Sequence, residues 1–363
     1  MTHPYSALPD RNFWKKAVSP FAWTDVFSHE NGRFKISPSN KIATAGSCFA
    51  QRISRVLVDS NFNFYETEAP HPLIDQNLAK KLGYGRFSAR YGNIYTPRQL
   101  RQLIDEAYGI RPQINKYSKS IKGTYIDLMR PNINELGFSS ELEAEADRCY
   151  HLKCVKKIFE TSDLFIFTFG LTEAWSSLDG EVVYGSHPSV VTGYDYEEVL
   201  APINFDYIAC FNDMVYVINF ISNINPDLKF IFTVSPVALA ATHQNNHVLM
   251  ATTYSKSVLR AVAGKLVELW PKADYFHSYE IFSAAQSFGQ FLSSDLRDVN
   301  DRGVCVAMNC FKETYFDTEF SEAKSQVNPA GISKPTDLDI SQSPAQIECD
   351  EQLNALFEIP PTP

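Results

Sequence analysis

The sequence lacks a cluster of basic residues, a long apolar run and a regular cysteine pattern. Its 363 residues carry a net charge of −9, and lysine and arginine form no dense stripe, so nucleic acid and anionic membrane surfaces are poor partners. No run approaches the roughly 18 consecutive apolar residues of a membrane span. The first residues also lack the basic stretch and apolar core of a signal peptide, which predicts a protein that is not secreted by that route.

The number and spacing of the cysteines indicate the cellular compartment of the protein. The seven cysteines are odd in number and lack the spacing of a disulfide framework, which favours a reducing setting such as a bacterial cytoplasm. Two local groups, Cys149 and Cys154 around His151 and Cys305 with Cys310, do not form the paired Cys-x-x-Cys pattern of a structural zinc site. We therefore expect a cytoplasmic protein without a metal.

Strand-length apolar runs alternate with stretches of helical periodicity from residue 41 onward. Hydrophobic residues make up 44% of the chain, enough for a substantial core. The alternation predicts a mostly parallel sheet covered on both faces by helices, an α/β/α three-layer sandwich. The predicted strands are 41–45, 164–169, 229–235 and 273–276, and the predicted helices include 97–109, 140–161, 206–224 and 252–270.

Composition divides the chain into three parts. Residues 1–40 are rich in proline, aromatic and turn residues and predict an N-terminal arm packed on the core. Residues 41–316 make up the predicted α/β domain, in which 110–140 has the composition of an insertion or lid. In 317–363 serine, glutamate, glutamine and proline dominate, which predicts a disordered acidic tail.

Polar residues follow each of the four predicted strands. Ligand sites in open parallel sheets lie beyond the carboxyl ends of the strands. We therefore expect four segments to meet at one edge of the sheet, namely Ser47–Cys48, Gly170–Glu173, Ser235 and His277–Glu280.

The turn Gly46-Ser47-Cys48 carries two candidate nucleophiles. It joins the first strand to a helix-like stretch that begins at Phe49, and the first N–H groups of a helix stabilise a negatively charged sulfur or oxygen. This pattern predicts acyl transfer to water or to another acceptor. The structural alternative is that Cys48 is a small buried apolar residue beneath a turn.

The same letters carry a resemblance to a known family. The chain resembles the GSCFA family in the run Gly46–Ala50 and in further motifs spread over most of its length. That family is grouped with the SGNH (GDSL-type) hydrolases and acyltransferases, so the resemblance implies their flavodoxin-like α/β fold and acyl-ester chemistry. The further motifs include Phe87–Thr96, Phe169–Trp175, Val234–Val237, Ala251–Arg260 and Tyr275–Glu280.

The resemblance also implies roles for the nucleophile and the oxyanion hole. In the SGNH pattern Gly-Asp-Ser the nucleophile is third, a position that falls on Cys48, with Ser47 as the second candidate. In the pattern Gly-x-Asn-Asp the oxyanion donors fall on Gly170 and Thr172, where threonine replaces asparagine. A further backbone donor is expected in the Gly92-Asn93 pair, which is equally typical of an ordinary turn.

Three residues near these motifs are expected to contact the substrate. Arg90 is suited to bind a carboxylate or phosphate group, Glu173 follows the predicted oxyanion hole, and Trp175 is either a pocket wall or a core residue. Lys256, at the start of a helix, is expected to be solvated, with binding of an anionic group as the alternative.

A nucleophile of this kind needs a histidine base, usually oriented by a carboxylate. His247 is the preferred candidate because it lies in the loop after the third strand, in a segment that matches a family motif containing histidine, with Glu280 to orient it. His277 fits the SGNH spacing Asp-x-x-His through Asp274, and His187 is third. Each of them has an ordinary alternative as a surface or hydrogen-bonded core histidine.

Together these observations predict an esterase or O-acyltransferase without a cofactor. The expected partners are a small acyl donor, such as acyl-coenzyme A, and water or a carbohydrate acceptor, such as a polysaccharide precursor. The alternative is a non-catalytic glycan- or protein-binding module that retains the fold. The sequence leaves the oligomeric state open.

Overall fold

The computed structural model describes residues 3–22, 24–26, 31–114, 116–193, 196 and 198–317. The contacts within the chain define two compact units. The sheet unit extends from Pro38 to Phe276. In the described part of the chain, the terminal unit combines the residues up to Ser37 with those from His277 to Asp317.

The elements alternate along the chain much as the sequence predicts. The strands in the described part of the chain are β1 (Ile42–Gly46), β2 (Tyr117–Lys119), β3 (Tyr125–Asp127), β4 (Leu164–Phe169), β5 (Glu173–Ser177), β6 (Val183–Tyr184), β7 (Leu200–Asn204), β8 (Lys229–Val234) and β9 (Ala273–Tyr275). The α-helices there are α1 (Trp14–Ala17), α2 (Phe49–Asp59), α3 (Gln76–Lys81), α4 (Pro97–Ala107), α5 (Glu141–Thr161), α6 (Pro188–Thr192), α7 (Tyr207–Ile224), α8 (Val248–Leu269), α9 (Ser278–Ser283) and α10 (Asp301–Tyr315).

The central sheet is four-stranded and parallel, in the order β1-β4-β8-β9. Every residue of β1 and β4 is buried, which is typical of a parallel sheet with helices on both faces. Phenylalanines of the two middle strands fill the core and contact one another across the sheet, as Phe169 does with Phe232. The α/β fold with three α/β/α layers is therefore confirmed.

The strand order reverses at β1, and this locates the site. On one side β1 pairs with β4, and on the other side Ile42 forms a parallel bridge with Phe64, which follows α2. The chain thus leaves β1 in one direction and leaves β4, towards β8, in the other. Such a topological switch point opens a crevice at the carboxyl ends of the two strands, where α/β proteins bind ligands.

Two smaller sheets extend the sheet unit. The strands β6-β5-β7 form an antiparallel sheet directly after β4, and β2 pairs with β3 in a hairpin inside the predicted insertion 110–140. In the small sheet Trp175 is paired with Pro202 and Tyr184. This sheet therefore begins at the carboxyl end of β4 and carries residues that the sequence assigns to substrate binding.

The terminal unit is built on α10. Ile36 donates its N–H to the carbonyl of Tyr315 at 2.8 Å and forms a parallel bridge with Phe316, while Phe311 packs against the Tyr315 ring. The predicted bounds of an arm over 1–40 packed on the core and a domain over 41–316 stay a prediction. Apart from Asp317, the predicted tail lies outside the described residues.

Candidate functional site

The turn after β1 requires glycine at its first position. Gly46 has a φ of 130°, and a Cβ placed on it would lie 2.3 Å from the carbonyl oxygen of Thr168 on β4. Ser47 then donates its N–H to that same oxygen at 3.1 Å. Cys48 is the N-cap residue of α2. The turn is thus held against the end of the neighbouring strand, with its two nucleophiles at the start of a helix.

Both candidate nucleophiles are buried. Ser47 is 2% exposed and Cys48 is 4% exposed, and Cys48 is a free thiol. Within the described residues the Ser47 hydroxyl has no hydrogen-bond partner. A buried hydroxyl without a partner costs free energy, and such a group at the positive end of a helix is a feature of sites that bind or react.

Two further segments meet the turn. Ile94 donates its N–H to the carbonyl of Gly46 at 2.9 Å, and the carbonyl of Tyr95 accepts from the N–H of Gly170 at 2.9 Å. Gly170 has no room for a side chain, because an added Cβ would lie 2.9 Å from the Tyr95 ring and 3.1 Å from the Cβ of Ser47. The segments around residues 47, 94 and 170 therefore form one compact group at the switch point.

The carboxyl end of β8 joins this group through the backbone. Ser235 donates its N–H to the carbonyl of Phe169 at 2.8 Å. By contrast, His277 and Glu280 belong to the terminal unit. Three of the four predicted segments therefore meet within the sheet unit.

The donors predicted for the oxyanion hole are engaged within the protein. The Gly170 N–H donates to the Tyr95 carbonyl, and the Thr172 hydroxyl donates to the side-chain oxygen of Asn204 at 2.6 Å. The Thr172 N–H donates to the hydroxyl of Ser255 on α8 at 2.9 Å. Gly92 adopts a φ of 66° with open space beside it, and Asn93 is half-buried next to it. Gly170 and Thr172 are thus held by partners within the protein, whereas Gly92 lies beside open space.

Lys256 corrects the expectation of a solvated side chain. It is 2% exposed, and its ammonium group donates to the carbonyl of Gly170. A buried lysine is stable when its charge is hydrogen-bonded, and here helix α8 supplies it directly to the turn after β4. The positive charge is thus hydrogen-bonded to Gly170, one of the two residues of the predicted oxyanion hole.

Arg90 lies in a buried ion network instead of a substrate-facing surface. It is 4% exposed, and its guanidinium group pairs with Asp147 at 2.6 Å and donates to the Leu82 carbonyl at 2.7 Å. Because its donors are engaged there, the role expected from sequence does not fit its position. The other members of this network are Glu68, Glu106, Asp127, Arg130, Arg148 and His151.

Two of the predicted bases act as helix caps. The Nδ1 atoms of His247 and His187 accept the N–H groups of Leu249 and Ser189, each at 3.2 Å. The hydrogen bond at one ring nitrogen fixes the proton on the other, so both neutral rings carry it on Nε2. In that tautomer Nε2 donates a proton and does not accept one. A base role for either residue therefore requires release of its cap.

A cleft of about 360 Å³ opens beside the turn after β4. Glu173 and Trp175, which the sequence predicts to contact a substrate, line it together with His187 and His243. The Trp175 ring lies edge-to-face with the imidazoles, with ring centroids 4.5 Å from His187 and 4.0 Å from His243. Burial, and then the nearby His243, lowers the pKa of His187.

His243 lines the cleft but is not among the site residues predicted from the sequence. Its N–H donates to the Glu173 carboxylate at 3.2 Å, and the Thr242 hydroxyl donates to the other oxygen of that group at 2.7 Å. No periodicity marks this residue. Its one signal is its place in the loop that follows a buried parallel strand, where sites form.

The fold and the turn define an α/β protein with a candidate functional site at the switch point of a parallel sheet. The chain belongs to the GSCFA family, whose model matches residues 41–311. A search of the curated proteins and a search of the solved structures found no match. Within the described residues no helix is long and apolar enough to span a membrane, and no three His, Cys, Asp or Glu side chains are grouped to hold a metal ion.

Proposed function

We propose that the chain is an SGNH-like esterase or O-acyltransferase that uses the Gly46-Ser47-Cys48 turn. The observation that carries this proposal is the burial of Ser47 and Cys48 at the start of α2, with a hydroxyl that has no partner in the described structure. The close approach of the predicted nucleophile and oxyanion segments supports it, since a Cβ added to Gly170 would lie 3.1 Å from the Cβ of Ser47. Cys48 is the proposed nucleophile, and Ser47 is the alternative.

The reaction has two halves. The Cys48 sulfur bonds to the acyl carbon of the donor, and the leaving thiol or alcohol departs with the proton that the Cys48 thiol loses. A water or sugar hydroxyl then attacks the thioester, the carbon–sulfur bond breaks, and the hydroxyl proton returns to sulfur. The proposed donor is an acyl-coenzyme A, and the acceptor is water or a carbohydrate, as on a polysaccharide precursor.

The proposed setting is a cytoplasm. All six cysteines in the described part of the chain are free, which is typical of a reducing compartment. The base is assigned to His247 first and to His277 or His187 otherwise. For His247 the cap at Nδ1 must be released before the ring accepts a proton at Nε2.

Intact-mass spectrometry tests the proposal. The protein is incubated with acetyl-coenzyme A or p-nitrophenyl acetate, and a single acetyl adduct is expected that is lost in Cys48→Ala and retained in Ser47→Ala. Cys149→Ala is the matched control, since Cys149 is an exposed free thiol that would react non-specifically. An adduct lost only in Ser47→Ala would move the nucleophile to serine.

A binding module is the second candidate. It is favoured by the engagement of the Gly170 N–H and the Thr172 hydroxyl within the protein. If neither donor forms an adduct, and ester cleavage by the wild type does not exceed that of a Cys48→Ala, Ser47→Ala double variant, the enzyme proposal is wrong and the binding module stands.

A further inference from the structure

The cleft beside Glu173 begins one residue along the chain from Gly170, which adjoins the candidate nucleophile turn. Leu171, which lines the cleft, directly follows Gly170, where an added Cβ would lie 3.1 Å from the Cβ of Ser47. On its other side the cleft is lined by Gly185, where an added Cβ would lie 3.4 Å from the Tyr95 ring. Tyr95 and Gly170 therefore lie between the cleft wall and the turn that carries Ser47 and Cys48.

The lining combines apolar surface with a few fixed polar groups. Leu239, Val190 and Pro202 contribute apolar surface, and Trp175 adds an aromatic ring. The Glu173 carboxylate is held by two donors of the loop after β8. The volume of about 360 Å³ falls within the roughly 300–1,000 Å³ of small-molecule sites, which show this same balance of apolar walls and placed polar groups.

The polar groups that line the cleft are better suited to bind hydroxyl groups than charged groups. Glu173 offers carboxylate oxygens as acceptors, and the cap at Nδ1 of His187 leaves its Nε2–H as a donor. No lysine or arginine lines the cleft among the described residues, so a phosphate or carboxylate group would find no cation there and would face Glu173. A purely aliphatic chain would in turn leave the carboxylate and imidazoles poorly solvated.

We propose that this cleft binds the acceptor of the acyl group, and that the acceptor is a neutral, hydroxyl-bearing ring of about monosaccharide size. This inference rests on the proposed function and adds the chemical class of its second substrate. Glu173 accepts a hydrogen bond from one ring hydroxyl, and Trp175 packs against the apolar side of the ring. In the transfer step another hydroxyl oxygen bonds to the acyl carbon, the carbon–sulfur bond to Cys48 breaks, and the hydroxyl proton passes to the sulfur.

Binding is tested without chemistry, in the full chain carrying Cys48→Ala. The indole N–H resonance of Trp175, assigned with Trp175→Phe, is followed in ¹H–¹⁵N spectra during titration with glucose, N-acetylglucosamine, glucose 6-phosphate and glucuronate. The neutral sugars are expected to shift this resonance, and the charged ones to bind at least about 10-fold more weakly.

Glu173→Gln supplies the specific variant, and Glu181→Gln supplies the matched control because Glu181 lies on the same small sheet's exposed turn. Glu173→Gln is expected to weaken neutral-sugar binding by about 10-fold, and Glu181→Gln to leave it unchanged. The proposal is overturned if no neutral sugar shifts the Trp175 resonance at millimolar concentration. It is also overturned if charged sugars bind more tightly, or if the two glutamate variants bind alike.

These outcomes are separate from those of the acylation experiment. If Cys48 forms an adduct but no sugar binds in the cleft, the proposed enzymatic function stands and the proposed acceptor is wrong. If sugars bind in the cleft but Cys48 forms no adduct, the proposed enzymatic function is wrong and the chain is a carbohydrate-binding module.

Discussion

Gly46 is the residue on which the candidate site depends most directly. Its φ of 130° is one that side-chain-bearing residues rarely adopt, and an added Cβ would lie 2.3 Å from the Thr168 carbonyl oxygen. Gly46→Ala therefore imposes backbone strain and a clash with the neighbouring strand. We expect the free energy of unfolding, measured by urea denaturation, to fall by at least about 2 kcal/mol.

Gly180→Ala separates these two effects. Gly180 also has a positive φ, of 76°, but nothing lies within 4 Å of an added Cβ. Gly180→Ala therefore imposes backbone strain without a clash, and its free energy of unfolding should fall by only about 1 kcal/mol. Equal losses in the two variants would show that the contact with Thr168 has no influence on stability.

Helix α8 determines the chemistry around the turn after β4. Its Lys256 donates to the Gly170 carbonyl, and its Ser255 accepts from the Thr172 N–H. Lys256→Met keeps most of the apolar stem but removes the donor, so the carbonyl is left buried without it. We expect the free energy of unfolding to fall by about 1–3 kcal/mol.

Lys265→Met is the control on the same helix. Its ammonium group is at the surface and pairs with Glu268 three residues away, and such pairs contribute little. A change within about 0.5 kcal/mol is expected. If the free energy of unfolding falls equally in both lysine variants, the hydrogen bond from Lys256 to Gly170 does not stabilise the turn.

Elements with strong local signals were predictable from the sequence. The predicted strand 164–169 coincides with β4 (Leu164–Phe169), and the predicted helix 206–224 differs from α7 (Tyr207–Ile224) by its cap residue. Apolar runs and periodicity specify such elements, and Asp206 marks the helix start by accepting the N–H of Ala209.

What the sequence missed depends on contacts between distant residues. Lys256 was expected in solvent, but its partner Gly170 lies 86 positions away. His243 reaches the cleft because Glu173, 70 positions away, accepts its N–H. Arg90 pairs with Asp147 across 57 positions. No local pattern encodes these pairs, because the pairing arises only when the strands assemble.

The buried ion network is a larger example of long-range pairing within the sheet unit. Arg90, Arg130 and Arg148 pair with carboxylates from a loop, from α4, from β3 and from α5. Removing one partner of a buried pair leaves an uncompensated charge, which typically costs about 3–5 kcal/mol. The network therefore makes the stability of the unit sensitive to any loss of charge among its carboxylates.

The titration of Glu68 predicts how the free energy of unfolding changes with pH. Burial alone would raise its pKa, but His151, Arg130 and the N–H of Arg90 together lower the pKa from the ordinary 4.5 to about 2. A carboxyl with a lowered pKa stabilises the fold fully above its unfolded value, and this contribution is lost as the pH falls towards the folded value. Between pH 4.5 and about 2, we expect a loss of roughly 3 kcal/mol from this group.

Urea denaturation over this pH range checks the expectation with Glu68→Gln. The variant is less stable at neutral pH because His151 and Arg90 lose their partner, but its amide does not titrate. The difference in unfolding free energy between wild type and variant should therefore shrink as the pH falls below 4.5. Glu160→Gln, which alters only a partly exposed pair with Lys156, should follow the wild type throughout. A difference for Glu68→Gln that stays constant with pH would mean that Glu68 does not titrate with folding, and that the network draws its acid sensitivity from other carboxylates.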